Sequence, residues 1–261
     1  MHGKTHIHKF VLFGLILVSL ACATLQPTPT APLTPEPSRT ATQTLAPTAT
    51  QTLRPSPTLR PTWTPDLAAT KHAAELNGQI DTYYSKGYLA TKDGRIRELE
   101  DFRSDWAQLG WYNWLPLGDS ASNFFLSAHF KWDSALQTSN TAGCGFIFGR
   151  QPNDDHYAIF LDRARVFFLI TDRAVGYSKP MTPTRGTGLV DFDYPAEADF
   201  ALIVKDGYAY VLVNGENVAE YTLSRSRSLH GRLGLTVLSG TNKDYGTRCE
   251  MTNLRLWTPI K

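Results

Sequence analysis

The segment "FFLSAHFKW" alternates: Phe124, Leu126, Ala128, Phe130 and Trp132 fall on one side of an extended chain, and Ser127, His129 and Lys131 on the other. Strand side chains project to alternate faces, so this period of two predicts a half-buried strand over 124–132. Similar short runs predict strands over 144–149, 156–162, 165–171, 198–205, 208–213, 217–223, 232–238 and 247–257. Asp206-Gly207 and Asn214-Gly215 suit two-residue hairpin turns, which makes 198–223 a three-stranded antiparallel meander. Asp93-Gly94 in "GYLATKDGRIREL" predicts one more hairpin, of two short strands.

Upstream of Gly87 the period lengthens to that of a helix. Leu76, Ile80, Tyr83 and Tyr84 recur at helical spacing, with Thr64 placed to cap and Pro65 suited to the first turn, so a helix is expected over 66–86. Residues 87–261 then form one domain. Nine or more antiparallel strands without crossover helices make it all-β, a sandwich or a closed barrel.

The first 65 residues follow other rules. Lys4 and Lys9 precede an apolar run from Phe10 to Leu20, the shape of a secretory signal peptide over 1–21. The run is too short to span a roughly 30 Å hydrocarbon core as a helix. "VSLACA" resembles the lipobox of bacterial lipoproteins, although Ser19 and Leu20 stand in the reverse of the preferred order. That resemblance implies lipidation of Cys22 and a protein anchored to the extracytoplasmic face of a bacterial membrane; simple cleavage after Ser19-Leu20-Ala21 is the alternative. Residues 24–65 hold ten of the sixteen prolines, thirteen threonines and four charges, with an eight-residue repeat, "TATQTLAP" then "TATQTLRP". Such composition builds no core, and 22–65 reads as a disordered Thr/Pro-rich stalk reaching up to about 130 Å if extended.

Charge narrows the partners. With the leader's two lysines and the stalk's Arg39, Arg54, Arg60 and Glu36 set aside, 21 basic residues face 23 acidic ones from Asp66 onward. A mildly acidic domain with no basic run lacks the clustered positive field that nucleic acid binding needs.

Three cysteines remain to be placed. With Cys22 lipidated, Cys144 and Cys249 are left in an exported domain, and parity in an oxidising compartment favours a bridge between them. Two buried thiols, or a reactive centre, are the other readings. Cys144 shares its strand face with Phe146 and Phe148, and Cys249 with Met251, apolar settings unlike those that activate a thiol.

The order "NFFLSAHFKW", "CGFIFGR…HYAIFLDR…VFFLI", "FALIVKDGYAYVLVNGENV", "GRLGLTVLSG" and "CEMTNLRLW" resembles the concanavalin A-like lectin/glucanase jelly rolls. Within these it is most similar to laminin-G-like domains and to the bacterial family named for 3-keto-disaccharide hydrolase, over residues 87–257. The resemblance implies an antiparallel jelly-roll β-sandwich. It also implies two kinds of activity: recognition of a glycan or other surface polymer, or glycan hydrolysis or lysis. A structural or protein-binding domain is the third reading, because fold alone does not settle function.

Catalytic signatures are not found. Glucanases of this fold set acids in an E-x-D-x-x-E pattern, whereas "ELED" offers Glu98 and Glu100 and then Arg103 where the third acid would fall. His72, His129, His156 and His230 show no ligand spacing. Two candidate sites are left. The cluster "WAQLGWYNW" supplies Trp111, Tyr112 and Trp114, rings on which the apolar faces of sugars stack, if they do not plug the sandwich edge instead. The turn "QPNDDHY" supplies Asn153, Asp154 and Asp155, oxygen donors for Ca²⁺ or plain turn residues.

Overall fold

The structure, a computed structural model, describes residues 67–163, 165–174, 176–181, 185–186 and 193–260. The leader, Cys22, the stalk and the capping pair Thr64-Pro65 lie outside the described residues.

Helix α1 spans Leu67–Ser85. It buries Leu76, Ile80 and Tyr83 and leaves Tyr84 at the surface. Gly87 ends it at φ 77°, donating to Tyr84 O at 2.9 Å while Tyr88 N donates to Tyr83 O at 2.9 Å. This left-handed cap needs glycine, and the Tyr83–Tyr88 ring contact supplies its accompanying hydrophobic pair.

Fourteen strands follow among the described residues: β1 (Gly94–Glu98), β2 (Phe102–Trp106), β3 (Tyr112–Ala121), β4 (Phe124–Ser134), β5 (Gly143–Arg150), β6 (His156–Asp162), β7 (Arg165–Asp172), β8 (Tyr177–Pro180), β9 (Arg185–Gly186), β10 (Ala196–Lys205), β11 (Tyr208–Val213), β12 (Glu216–Thr222), β13 (Gly231–Leu238) and β14 (Thr247–Pro259). They form two antiparallel sheets. The first runs β1-β14-β4-β10-β11-β12 with β2 also on β14, and the second runs β3-β13-β5-β6-β7-β8 with β9 also on β7. The fold is thus an antiparallel β-sandwich of the jelly-roll type, and every strand read from alternation is present.

The meander turns are of the expected kind. Asp206-Gly207 and Asn214-Gly215 all have positive φ, between 48° and 89°, the twist that a two-residue hairpin requires. The hairpin expected at Asp93-Gly94 does not form. Gly94 instead opens β1, which pairs with β14 in the register Gly94↔Pro259 and Ile96↔Trp257. Its glycine answers to a close approach: a Cβ there would stand 2.1 Å from the Trp257 ring.

Between the sheets lies one core, built from Phe124, Leu126, Phe130 and Trp132 of the first sheet against Phe146, Phe148, Ile159 and Phe168 of the second. Cys144 of β5 and Cys249 of β14 are joined there by a disulfide with Cα atoms 5.6 Å apart. The bridge closes a 105-residue separation and links the two sheets through the core.

Candidate functional site

The sandwich has two outward faces. On the first sheet, α1 covers Phe125, Ile203, Leu212 and Trp257 with Ile80 and Tyr83. Beside the helix remains a polar hollow of about 340 Å³, where His129 Nδ1 meets Asp199 Oδ1 at 2.9 Å.

On the second sheet, Ile147, Ala158, Phe160, Leu169 and Leu238 form a buried apolar floor on the outward side, with Tyr112, Trp114 and Phe167 packed over it. Two glycines let the rings lie close to the backbone. A Cβ on Gly145 would come within 2.7 Å of Phe160, its cross-strand partner, and one on Gly234 within 3.1 Å of Trp114.

Above this floor opens a cleft of about 380 Å³. Trp111 stands at its edge, 60% exposed. Backbone bonds fix the approach to β3: Gly110 donates to Ser239 O at 2.8 Å, and Ser239 N donates to Trp111 O at 3.0 Å. Trp114, three residues beyond Trp111 and opposite Thr236, is half-buried beneath Arg150, whose guanidinium lies 3.5 Å from its ring centroid. A cation over an indole face is attracted by the ring's quadrupole, and here it also shields one face of the ring from water. The cluster, read as either a sugar platform or a plug of the sandwich edge, is therefore divided. Trp106 ends β2 and packs on the core, Trp111 is exposed, and Tyr112 and Trp114 are strand residues of the outward face.

Tyr112 begins a chain of hydrogen bonds. Its hydroxyl lies 2.8 Å from His156 Nε2 and 2.8 Å from Thr171 Oγ1, and Thr171 Oγ1 lies 2.9 Å from Ser178 Oγ. His156 Nδ1 faces the carbonyl oxygen of Asp154, which can only accept, so Nδ1 carries the proton and Nε2 accepts from Tyr112. Thr171 then donates to Tyr112, and Ser178, exposed in the cleft, donates to Thr171. Burial holds His156 below the ordinary histidine value and raises Tyr112 above the ordinary phenol value, which keeps both neutral.

The charged groups sit beside this chain. Arg150 donates to Asp154, and Arg173 Nη2 lies 3.8 Å from the other carboxylate oxygen of Asp154. Burial lowers the pKa of Arg150; Asp154 opposes that shift, and Arg232 and Arg173 add to it. Asp155 accepts from the backbone N–H of Arg173 at 2.9 Å and from Asn153 Nδ2 at 3.1 Å, and the first of these bonds is the main reason its pKa is depressed.

Asn153, Asp154 and Asp155 thus form a turn whose oxygens are already engaged. Ca²⁺ takes six to eight oxygen ligands. Asp154, one of the three, is held by the Arg150 guanidinium. Glu98 lies elsewhere, on β1, bonded to His72 at 2.5 Å.

The structure therefore brings Trp111, Tyr112, Trp114 and Asp154 into one cleft and adds Arg150, His156, Thr171, Arg173 and Ser178, which sequence reasoning did not select. These come from four strands and the turn after β7, and no spacing marked them.

No family model matches the chain, and no curated protein matches it in sequence. Among solved structures it is similar to the carbohydrate-binding module CBM66 from Bacillus subtilis, at 11% identity and a TM-score of 0.45 over 61% of this chain and 94% of that one. It is also similar to the catalytic domain of an endo-1,3-β-glucanase (laminarinase) from Thermotoga petrophila, at 9% identity and 0.41 over 57% and 69%. A third similarity is to a fructosyltransferase from A. japonicus, at 16% and 0.44 over 67% of this chain, which spans 28% of that enzyme. The fold assignment itself stands on strand order and register.

Proposed function

We propose that the domain is a non-catalytic carbohydrate-recognition module, displayed outside a bacterial membrane at the end of the Thr/Pro-rich stalk and anchored through lipid on Cys22. The observation that carries the reading is the exposed Trp111 beside a cleft lined by Tyr112, Trp114 and the polar tips of Ser178, Arg150 and Arg173. Sugars present apolar C–H faces and a rim of hydroxyls. An exposed indole matches the first and the fixed donors and acceptors match the second.

Glycan hydrolysis by paired carboxylates asks for two such groups roughly 5 to 9 Å apart. Among the described residues that line the cleft, Asp154 is the one carboxylate, and it is paired with Arg150. This favours recognition over that chemistry.

A glycan array probed with the full chain in detergent tests the reading. Binding to at least one glycan is expected, reduced about tenfold or more by Trp111→Ala. Binding that survives Trp111→Ala unchanged places the ligand elsewhere. For the anchor, Cys22→Ala is expected to release the protein from the membrane fraction; retention there counts against lipidation.

A further inference from the structure

The domain as a whole is mildly acidic, yet the cleft is not. Two guanidiniums, Arg150 and Arg173, line it with one carboxylate, Asp154, and His156 there is neutral. Arg150 takes Asp154 in a close ion pair. Arg173 is left with a 3.8 Å approach to the same carboxylate and a side chain that is 62% exposed. A third guanidinium stands alongside, since Arg232 of β13 is the cross-strand partner of Arg150 on β5. It is exposed and has no ion pair among the described residues.

The neighbouring acids do not cancel this excess. Asp172 is held by Arg227 at 2.7 Å, and Asp155 points its oxygens at the Arg173 backbone N–H and at Asn153. In strand order, β5 with Arg150 lies between β13 with Arg232 and β7, whose end leads to Arg173. The floor between them is apolar, so the field there is less screened than on open surface.

We infer that the ligand of this cleft is an acidic glycan, one whose carboxylate or sulfate groups are met by Arg173 and Arg232 while a sugar ring lies against Trp111. The inference rests on the carbohydrate-recognition reading above and specifies its ligand class. Arg150 is the positioning residue: held by Asp154 and seated on Trp114, it keeps the aromatic floor and the two outer guanidiniums in one arrangement. A planar guanidinium with several N–H donors suits carboxylate and sulfate oxygens, and its pairing with them is the stronger, charge-assisted kind.

The test uses three probes on the full chain in detergent by calorimetry: an oligogalacturonate, the same oligosaccharide with its carboxyls reduced to alcohols, and a sulfated oligogalactan. At least one acidic probe is expected to bind about tenfold or more tightly than the neutral one, with affinity falling as salt rises. Which of the two acidic probes leads identifies the source of the charge. Arg173→Ala and Arg232→Ala are each expected to weaken acidic binding several-fold and to leave the thermal midpoint unchanged, whereas Arg95→Ala, on the first sheet, leaves binding unaltered. Neutral binding as tight as acidic binding, or acidic binding indifferent to both arginine variants, overturns the inference and leaves glycan recognition standing. No binding by any probe or array member overturns both.

Discussion

The two outward faces of the sandwich start from similar strands and end differently. Both sheets have central strands that are apolar on both sides: Phe125, Ile203 and Leu212 on the first, Ile147, Ala158 and Phe160 on the second. On the first, a separate element covers the outward residues, since α1 lays Ile80 and Tyr83 over Phe125. On the second, side chains of the sheet's own strands lie over the floor, with Trp114 against Gly234 and Arg150 over Trp114. The helix covers the apolar part of its face, and the hollow of about 340 Å³ left beside it is polar. Flat rings and long polar side chains cover the floor but leave a cleft between them, and a cleft can be occupied.

The largest test concerns what both faces share. Replacing Cys144 and Cys249 together by serine is expected to cost about 4 to 5 kcal/mol in the loop-closure account, measured by urea denaturation. A loss near zero would show that the core alone holds the sheets together. Next, Phe125→Ala should cost about 3 to 5 kcal/mol of stability and leave ligand affinity of the folded protein unchanged, because the residue lies under the helix. Trp111→Ala should do the reverse, lowering affinity about tenfold or more while moving stability by no more than about 0.5 kcal/mol. If both variants change both quantities alike, the two faces are not independent.

Tyr112→Phe removes a hydroxyl that joins His156 to Thr171 and should cost about 1 to 3 kcal/mol, by leaving buried partners unmatched. The smallest effect is that of pH. His156 in the folded state has a pKa below its ordinary 6.5, mainly through burial, with Asp154, Arg150 and Arg173 around it. The unfolded chain therefore takes up a proton that the folded chain refuses. Stability is complete above pH about 6.5 and falls as pH drops from there toward the depressed folded value. Urea midpoints across that window should decline for the native protein and decline less for His156→Gln.

Much of the fold was legible because it is written at short range. The alternation of 124–132, the Asp-Gly and Asn-Gly turns and the cysteine parity each depend on neighbours or on a count, and each is present in the structure. Phe125 was the one apolar residue out of phase in its strand, and α1 is the reason. β3 was missed because Pro116 and Gly118 interrupt its alternation. As the edge strand of its sheet it needs no ladder bond from proline, and Gly118 takes φ 79° where the register with β13 shifts. At Asp93-Gly94 the reverse happened: a local turn signal was overridden by pairing with the last strand.

By itself, then, the sequence determined the all-β class, most of the strands and the meander, which follow from periodicity and turn residues, and the bridge, which follows from cysteine number. It also singled out Trp111, Tyr112 and Trp114 as rings worth finding. Only the tertiary structure decided that these rings meet His156, Thr171 and Arg150, and that Asp154 answers to a guanidinium. Gly234 lies 120 residues beyond the Trp114 ring it admits. Such juxtapositions depend on sheet order and strand register, which are set by the burial of the whole core and leave no mark in local spacing.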